Sequence, residues 1–245
     1  MHTYRHFIAG GALIIGAIAL LITGPIPQPQ EFHAFADTRA WLSIPNAMDV
    51  LSNVPFLLVG LYGLARTAQV PEHLHGVWRV LCIALCATCF GSAFYHWNPN
   101  DFGLLIDRIP IALACASIAL LMLADRVSTA AAKPLPLAVM CLLAVSSCLF
   151  WYFSEVAGHG DLRPYVFMQA LPMLLVPLLT LLYPGGQIAG STWWTVLALY
   201  AVAKLCEGLD HQVLHALGFI SGHTLKHLFA AAAAWVLVRT AFKAD

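Results

Sequence analysis

The chain has 245 residues, of which 60% are hydrophobic and 10% charged, with 12 basic and 12 acidic side chains. Soluble domains carry about 25% charged residues, so this chain lacks the polar groups to cover a water-facing surface, and lipid is its expected solvent. Balanced charge provides no basic field for nucleic acid, which is excluded as a partner.

A membrane-spanning helix needs roughly 20 mostly apolar residues. In chain order the stretches that meet this are 7–23, 49–65, 77–97, 104–124, 135–154, 164–183, 191–208 and 221–240. The first follows Met1 to His6, with Arg5, and precedes Gly24-Pro25-Ile26-Pro27. A signal peptide has the same outline, but no clear A-x-A site follows Thr23, so a retained helix is expected. The connections are short, which predicts one all-α bundle with no soluble domain. The seven cysteines all lie inside apolar runs. They read as small packing residues, although Cys82, Cys86 and Cys89 share one helix face and present a soft-metal alternative.

Positive residues mark cytoplasmic connections. Arg5, then Arg66 and Arg79, Arg126 and Lys133, and Arg239 and Lys243 alternate with acidic connections. Those contain Glu31 and Asp37, Asp101, Glu155 and Asp161, and Glu207 and Asp210, while 184–190 carries no charge. Eight spans with both termini cytoplasmic agree with this pattern.

Ionisable groups inside spans are costly and usually functional. The third span ends with Ser92 and His96, four apart and so on one helix face. Asp107 lies about one turn inside the fourth span. The eighth opens with His223 and His227, a spacing that offers two imidazoles from one helix to one metal. The expected topology places His96, Asp107, His223 and His227 at similar depth near the outer face. Each also has a plain reading. A serine can bond the preceding turn's carbonyl, Asp107 can pair with Arg108, and a histidine at a helix end can be interfacial. A second pair with the same spacing, His211 and His215, lies at the end of the seventh span and in the loop after it. Spacing alone does not choose between the two pairs. His73 and His75 form an H-x-H expected in a solvated cytoplasmic loop.

The chain resembles the alkaline ceramidases, within the superfamily of seven-helix membrane hydrolases that includes the adiponectin and progestin receptors. Asp49-Val50-Leu51-Ser52-Asn53 is similar to the N-x-x-S-N that opens the family's first shared helix, with Asp49 in place of asparagine. Ser92 to His96 matches S-x-x-x-H, Asp107 to Pro110 matches D-x-x-P, and His223 to His227 matches the last helix's H-x-x-x-H. These motifs run in order across about 37–238. The resemblance implies that His96, His223 and His227 bind zinc and that Ser92 and Asp107 flank the reacting water. It implies a seven-helix core over 31–245, with 1–30 an additional N-terminal helix. Family members carry an acidic cluster associated with calcium ahead of the first shared helix. Here that stretch offers Asp37 and little else, so the resemblance does not carry calcium over.

The expected activity is zinc-dependent hydrolysis of a lipid amide, ceramide-like, with the substrate entering from the bilayer. Asp107 would act as general base and acid, and Ser92 as donor to the developing oxyanion. A lipid receptor or sensor without turnover is the alternative. A zinc transporter would need polar residues along a full path, and the inner half offers few, Lys204 being the main mid-span charge. An intramembrane serine protease fits less well, because Ser92 and His96 lie on one helix. Compact loops suggest a bacterial inner membrane.

Overall fold

The structure, a computed structural model, describes residues 2–242, and side chains from Tyr4 to Phe242. Lys243, one of the expected C-terminal charges, and Met1 lie outside the described residues. The described chain is all-α, its only β feature being a bridge between Trp41 and Ile44. The helices are α1 (His2–Ile22), α2 (Ala47–Leu51), α3 (Val54–Ala65), α4 (His75–Trp97), α5 (Asp101–Arg126), α6 (Pro134–Val156), α7 (Arg163–Leu182), α8 (Gly190–Gly208), α9 (Asp210–Leu217) and α10 (Gly222–Thr240).

Every stretch expected to be helical contains helix, but not every one has the composition of a span. Six helical stretches among the described residues are long and apolar enough to cross a membrane: Tyr4–Ile22, Ala47–Ala65, Glu72–Trp97, Asp101–Arg126, Pro134–Val156 and Arg163–Leu182. In α8 the apolar run is diluted by Lys204 and Glu207. In α10 it is diluted by His223, Lys226, His227 and Arg239. The membrane character of the rest shows in what is exposed. Large apolar side chains such as Phe7, Ile15, Leu142 and Phe153 face outward on α1 and α6, where lipid would solvate them.

Two corrections concern helix breaks. The expected 49–65 helix is interrupted at Ser52 and Asn53, ahead of Pro55. Proline has no N–H and clashes with the carbonyl four residues back. The Asn53 amide instead donates to the Asp49 carbonyl at 2.8 Å. His211 and His215, placed partly in a loop by the sequence reading, both lie in helix α9.

α4 and α5 form a tight hairpin whose turn is capped by the Asn100 side chain, which accepts from Gly103 N at 2.8 Å. At the crossing, a Cβ on Gly91 would meet the Ile106 carbonyl oxygen at 2.7 Å. Only glycine allows α5 this close, and the approach brings Ser92 beside Asp107. α3 and α4 meet in the same way. A Cβ on Gly60 would meet the Cys82 carbonyl oxygen at 2.6 Å and the Cys86 sulfur at 2.5 Å. Small residues at helix contacts let backbones approach where lipid offers no hydrophobic drive. Cys82 and Cys86 therefore pack against glycines, and no cysteine joins a metal-ligating group among the described residues.

At the opposite end of the bundle from the α4–α5 turn, Asp125 ties the α7–α8 connection to α5. Its carboxylate accepts from the backbone N–H of Gln187 and Ile188 at 2.7 and 3.0 Å. The Arg126 guanidinium donates to the carbonyls of Pro184 and Ile188. α1 lies against α7, with Gly16 facing Leu174 and the Tyr183 hydroxyl 2.9 Å from His6 Nδ1.

Between α1 and α2 the chain breaks at Gly24, with φ of 74°, and after prolines at 25, 27 and 29 only a short 3-10 turn forms, Gln30–His33. The segment 25–46 crosses the end of the bundle as a strap. Leu162 N donates to the Ile26 carbonyl at 2.8 Å, and Ala36 N to Asp210 Oδ2 at 2.9 Å. The Asn46 amide donates to the His96 carbonyl at 2.8 Å.

Gly60→Ala should lower thermal stability in detergent by about 1–3 kcal/mol, the usual range for overpacking a close contact. Gly10→Ala in α1, where nothing lies within 4 Å of the added Cβ, should be neutral or slightly stabilising. Equal melting temperatures for the two variants would contradict the close α3–α4 approach.

Candidate metal centre

His96 ends α4, while His223 and His227 occupy the first two turns of α10. All three are buried, and one ring nitrogen from each lies within 4.8 Å of the others. The three ring centroids are 4.7–4.9 Å apart in every pairing. Neither ring nitrogen of His96 has a hydrogen-bond partner. A buried polar atom without a partner is costly, and three converging imidazoles lose that cost when their lone pairs meet a cation. This group could hold a metal ion. His211 and His215 are exposed and take no part. His73 lies just ahead of α4, and His75, expected in a solvated loop, is half-buried as the first residue of that helix, at the end away from His96.

α10 is locked to α2 around Asp49, which is fully buried. The Thr224 hydroxyl donates to Asp49 Oδ1 at 2.6 Å, and the Ser221 hydroxyl lies 3.3 Å from the same oxygen. Ser221 also caps α10, its hydroxyl accepting from Thr224 N at 3.0 Å. One turn on from Asp49, the Ser52 hydroxyl donates to the Asp49 carbonyl and lies 2.7 Å from His227 Nδ1. A serine that already donates elsewhere accepts from Nδ1–H. That assignment leaves His227 Nε2 with its lone pair free, as a metal ligand requires. His223 is placed by its backbone, its N–H donating to Asp210 Oδ1 at 2.7 Å. Lys226 Nζ lies 3.1 Å from His223 Nε2 and 2.7 Å from Glu207 Oε1.

The strap closes this end. Phe35 is buried against both His96 and His223, with ring centroids 4.5 and 4.8 Å away. His33 bridges the Asp101 carboxylate and the Tyr95 hydroxyl, at 3.1 and 2.9 Å. Arg39 is bidentate on Asp37 and also donates to the Phe219 carbonyl at 2.9 Å. The guanidinium holds the Asp37 carboxyl below its ordinary range.

Ser92 and Asp107 face each other across the α4–α5 crossing, both buried. Asp107 Oδ1 has no partner, and the alternative reading of Asp107, a pair with Arg108, does not form. Both residues, with His227, line a cavity of about 290 Å³ that runs into the bundle along apolar side chains such as Leu85, Val176 and Leu237. α7 and α8 touch only sparsely. Half-buried Met173 and Leu197 from these two helices line the cavity where they part. Lys204, read from sequence as a mid-span charge of the inner half, pairs with Glu207 at this same end of α8.

Sequence reasoning therefore named the three imidazoles, Ser92 and Asp107, and the structure brings them to one end of the bundle. It gave no role to Ser52, Asp210 or Phe35. Ser52 stood inside a quoted motif, but nothing in its spacing pointed to a histidine 175 positions on. No protein-family model matches the chain, and no curated protein matches it.

Ser52→Ala should weaken metal affinity by roughly 10–100-fold, the usual cost of losing a hydrogen bond to a ligating histidine, with the fold retained. Competitive chelator titration would measure it, and unchanged affinity would contradict the Ser52–His227 assignment. Because Asp37 is depressed in the folded chain, its contribution to strap stability is full above its unfolded value of about 4. That contribution is lost as pH falls through the lower folded value. Hydrogen exchange of the 35–40 amides should rise in that acid window, and Asp37→Asn should remove the dependence.

Proposed function

We propose that this chain is a zinc-dependent integral membrane hydrolase that cleaves an amide bond in a lipid, related to the alkaline ceramidases. The observation that carries the reading is the group of His96, His223 and His227 beside Ser92 and Asp107, at the head of an apolar cavity. The donor set fits zinc. Three neutral imidazoles that leave one coordination position open describe a catalytic rather than a structural site. Zinc, when bound there, would supply Lewis acidity that polarises a carbonyl and acidifies water.

The protein's own groups would do the rest. The unpartnered Asp107 oxygen would take a proton from the attacking water and return it to the leaving amine, yielding a fatty acid and an amine. The Ser92 hydroxyl would donate to the oxygen that gains charge. The cavity would hold the acyl chain, and the gap between α7 and α8 would admit it from the bilayer. Phe35 and the strap would exclude bulk water from the imidazoles.

The same reading includes eight spans, a seven-helix core over 31–245 and one added helix before it. Both termini would face the cytoplasm of a bacterial cell, with the centre toward the periplasmic side, as the alternation of positive and acidic connections suggests.

Purified protein should contain about one zinc per chain by elemental analysis and release fatty acid from ceramide-like amides. Asp107→Asn should keep the metal and lose turnover by about 10²-fold or more. His223→Ala with His227→Ala should lose both. Full zinc content in that double variant would sink the site. Retained zinc with no turnover on any lipid amide would favour the receptor reading instead.

A further inference from the structure

Arg108 follows Asp107 in α5 and faces the same cavity, yet the proposed chemistry does not use it. It is 5% exposed. A buried guanidinium normally meets a carboxylate, because an unpaired charge in an apolar interior is costly. Among the described residues Arg108 makes no ion pair. Its faces are covered by aromatic rings, with Trp151 at 4.1 Å, Tyr165 at 4.7 Å and Phe32 at 5.7 Å from the guanidinium carbon. Such stacking holds the plane of the group and leaves its N–H edges to be satisfied. One edge donates to Gln28 Oε1 at 2.5 Å. Nη1 is buried and has no partner.

The ionisable groups around the cavity repeat the imbalance. Arg108, Lys204 and Lys226 face two carboxylates, Asp107 and Glu207. Glu207 is shared by the two lysines, and Asp107 faces Ser92. Glu155 Oε2 accepts from the Trp151 indole and the Gln28 N–H. Asp107 keeps one oxygen unpartnered, yet neither it nor Glu155 forms an ion pair with Arg108.

We propose that the cavity takes an acyl lipid with an anionic oxygen group, a carboxylate or a phosphate, and that Arg108 binds that group. The aromatic stack presents a planar donor edge that a carboxylate or phosphate matches and a neutral hydroxyl does not. Resting on the amidase reading, this narrows the substrate from neutral ceramide-like amides to acyl amides with an anionic head. In an N-acylglycine the carboxylate lies next to the amide, so anchoring it on Arg108 would set the amide near Asp107.

The test is equilibrium binding to metal-stripped full-length protein in nanodiscs, where no turnover occurs. The probes are N-palmitoylglycine, its neutral counterpart N-palmitoylethanolamine, and hexadecyl phosphate. The wild type should bind N-palmitoylglycine about tenfold or more tighter than the ethanolamide, a difference of about 1.4 kcal/mol. Arg108→Gln should erase the preference, and Arg108→Lys should keep part of it. Tight binding of hexadecyl phosphate supports a general oxyanion site, and weak binding supports a carboxylate site. Equal affinity of the wild type for the glycine and ethanolamine amides overturns the proposal, even if Arg108→Gln fails to fold. So does a preference that survives in folded Arg108→Gln. A chain that prefers the anion but never hydrolyses an amide would sink the amidase reading and leave this site standing.

Discussion

A polar group buried in an apolar bundle must find a partner, and that requirement places most of the side chains at the strap end of this molecule. Asp49 is fully buried in α2 and is met by the Ser221 and Thr224 hydroxyls of α10. The contact sets the rotation of α10, and with it the direction of His223 and His227. Ser52, one turn along, then reaches His227. On the other side of the site, the missing side chain of Gly91 lets α5 approach α4 until Asp107 faces Ser92. Two unrelated contacts, a polar lock and a bare crossing, converge on one place.

The groups that remain unpartnered are then informative. His96 has two orphan ring nitrogens, Asp107 one oxygen and Arg108 one nitrogen. Each sits at or beside the cavity head. A fold that satisfies Asp125 and Arg126 completely at its other end is able to pair its buried charges. Open valences at the strap end therefore mark where a cation, a reacting proton and an anionic ligand are proposed to act. Asp49 Oδ2 and Asn53 Oδ1 are also unpartnered, and they belong to the helix break beside Ser52.

The strap has a second consequence. It holds only one short 3-10 turn, Gln30–His33, and carries three prolines, so its hold on the bundle comes from a few individual contacts rather than a packed face. Phe35 against the imidazoles, Ala36 on Asp210 and the Asp37–Arg39 pair provide much of that hold. The cover over the histidines is thus a segment anchored by individual contacts, while the helices behind it are held by close backbone approach.

Composition and periodicity by themselves determined an all-α chain with membrane-length helices, because apolar runs of that length have few other uses. Four-residue spacing determined that Ser92 with His96, and His223 with His227, share helix faces, since that follows from helical pitch alone. The same spacing could not separate His223 and His227 from His211 and His215. Tertiary structure decided that, by burying one pair against His96 and leaving the other on exposed α9. It also decided that Asp107 does not pair with Arg108, and that Ser52, Asp210 and Phe35 border the histidines. Those contacts join residues far apart in the chain, and no local pattern encodes which distant helix a side chain will meet.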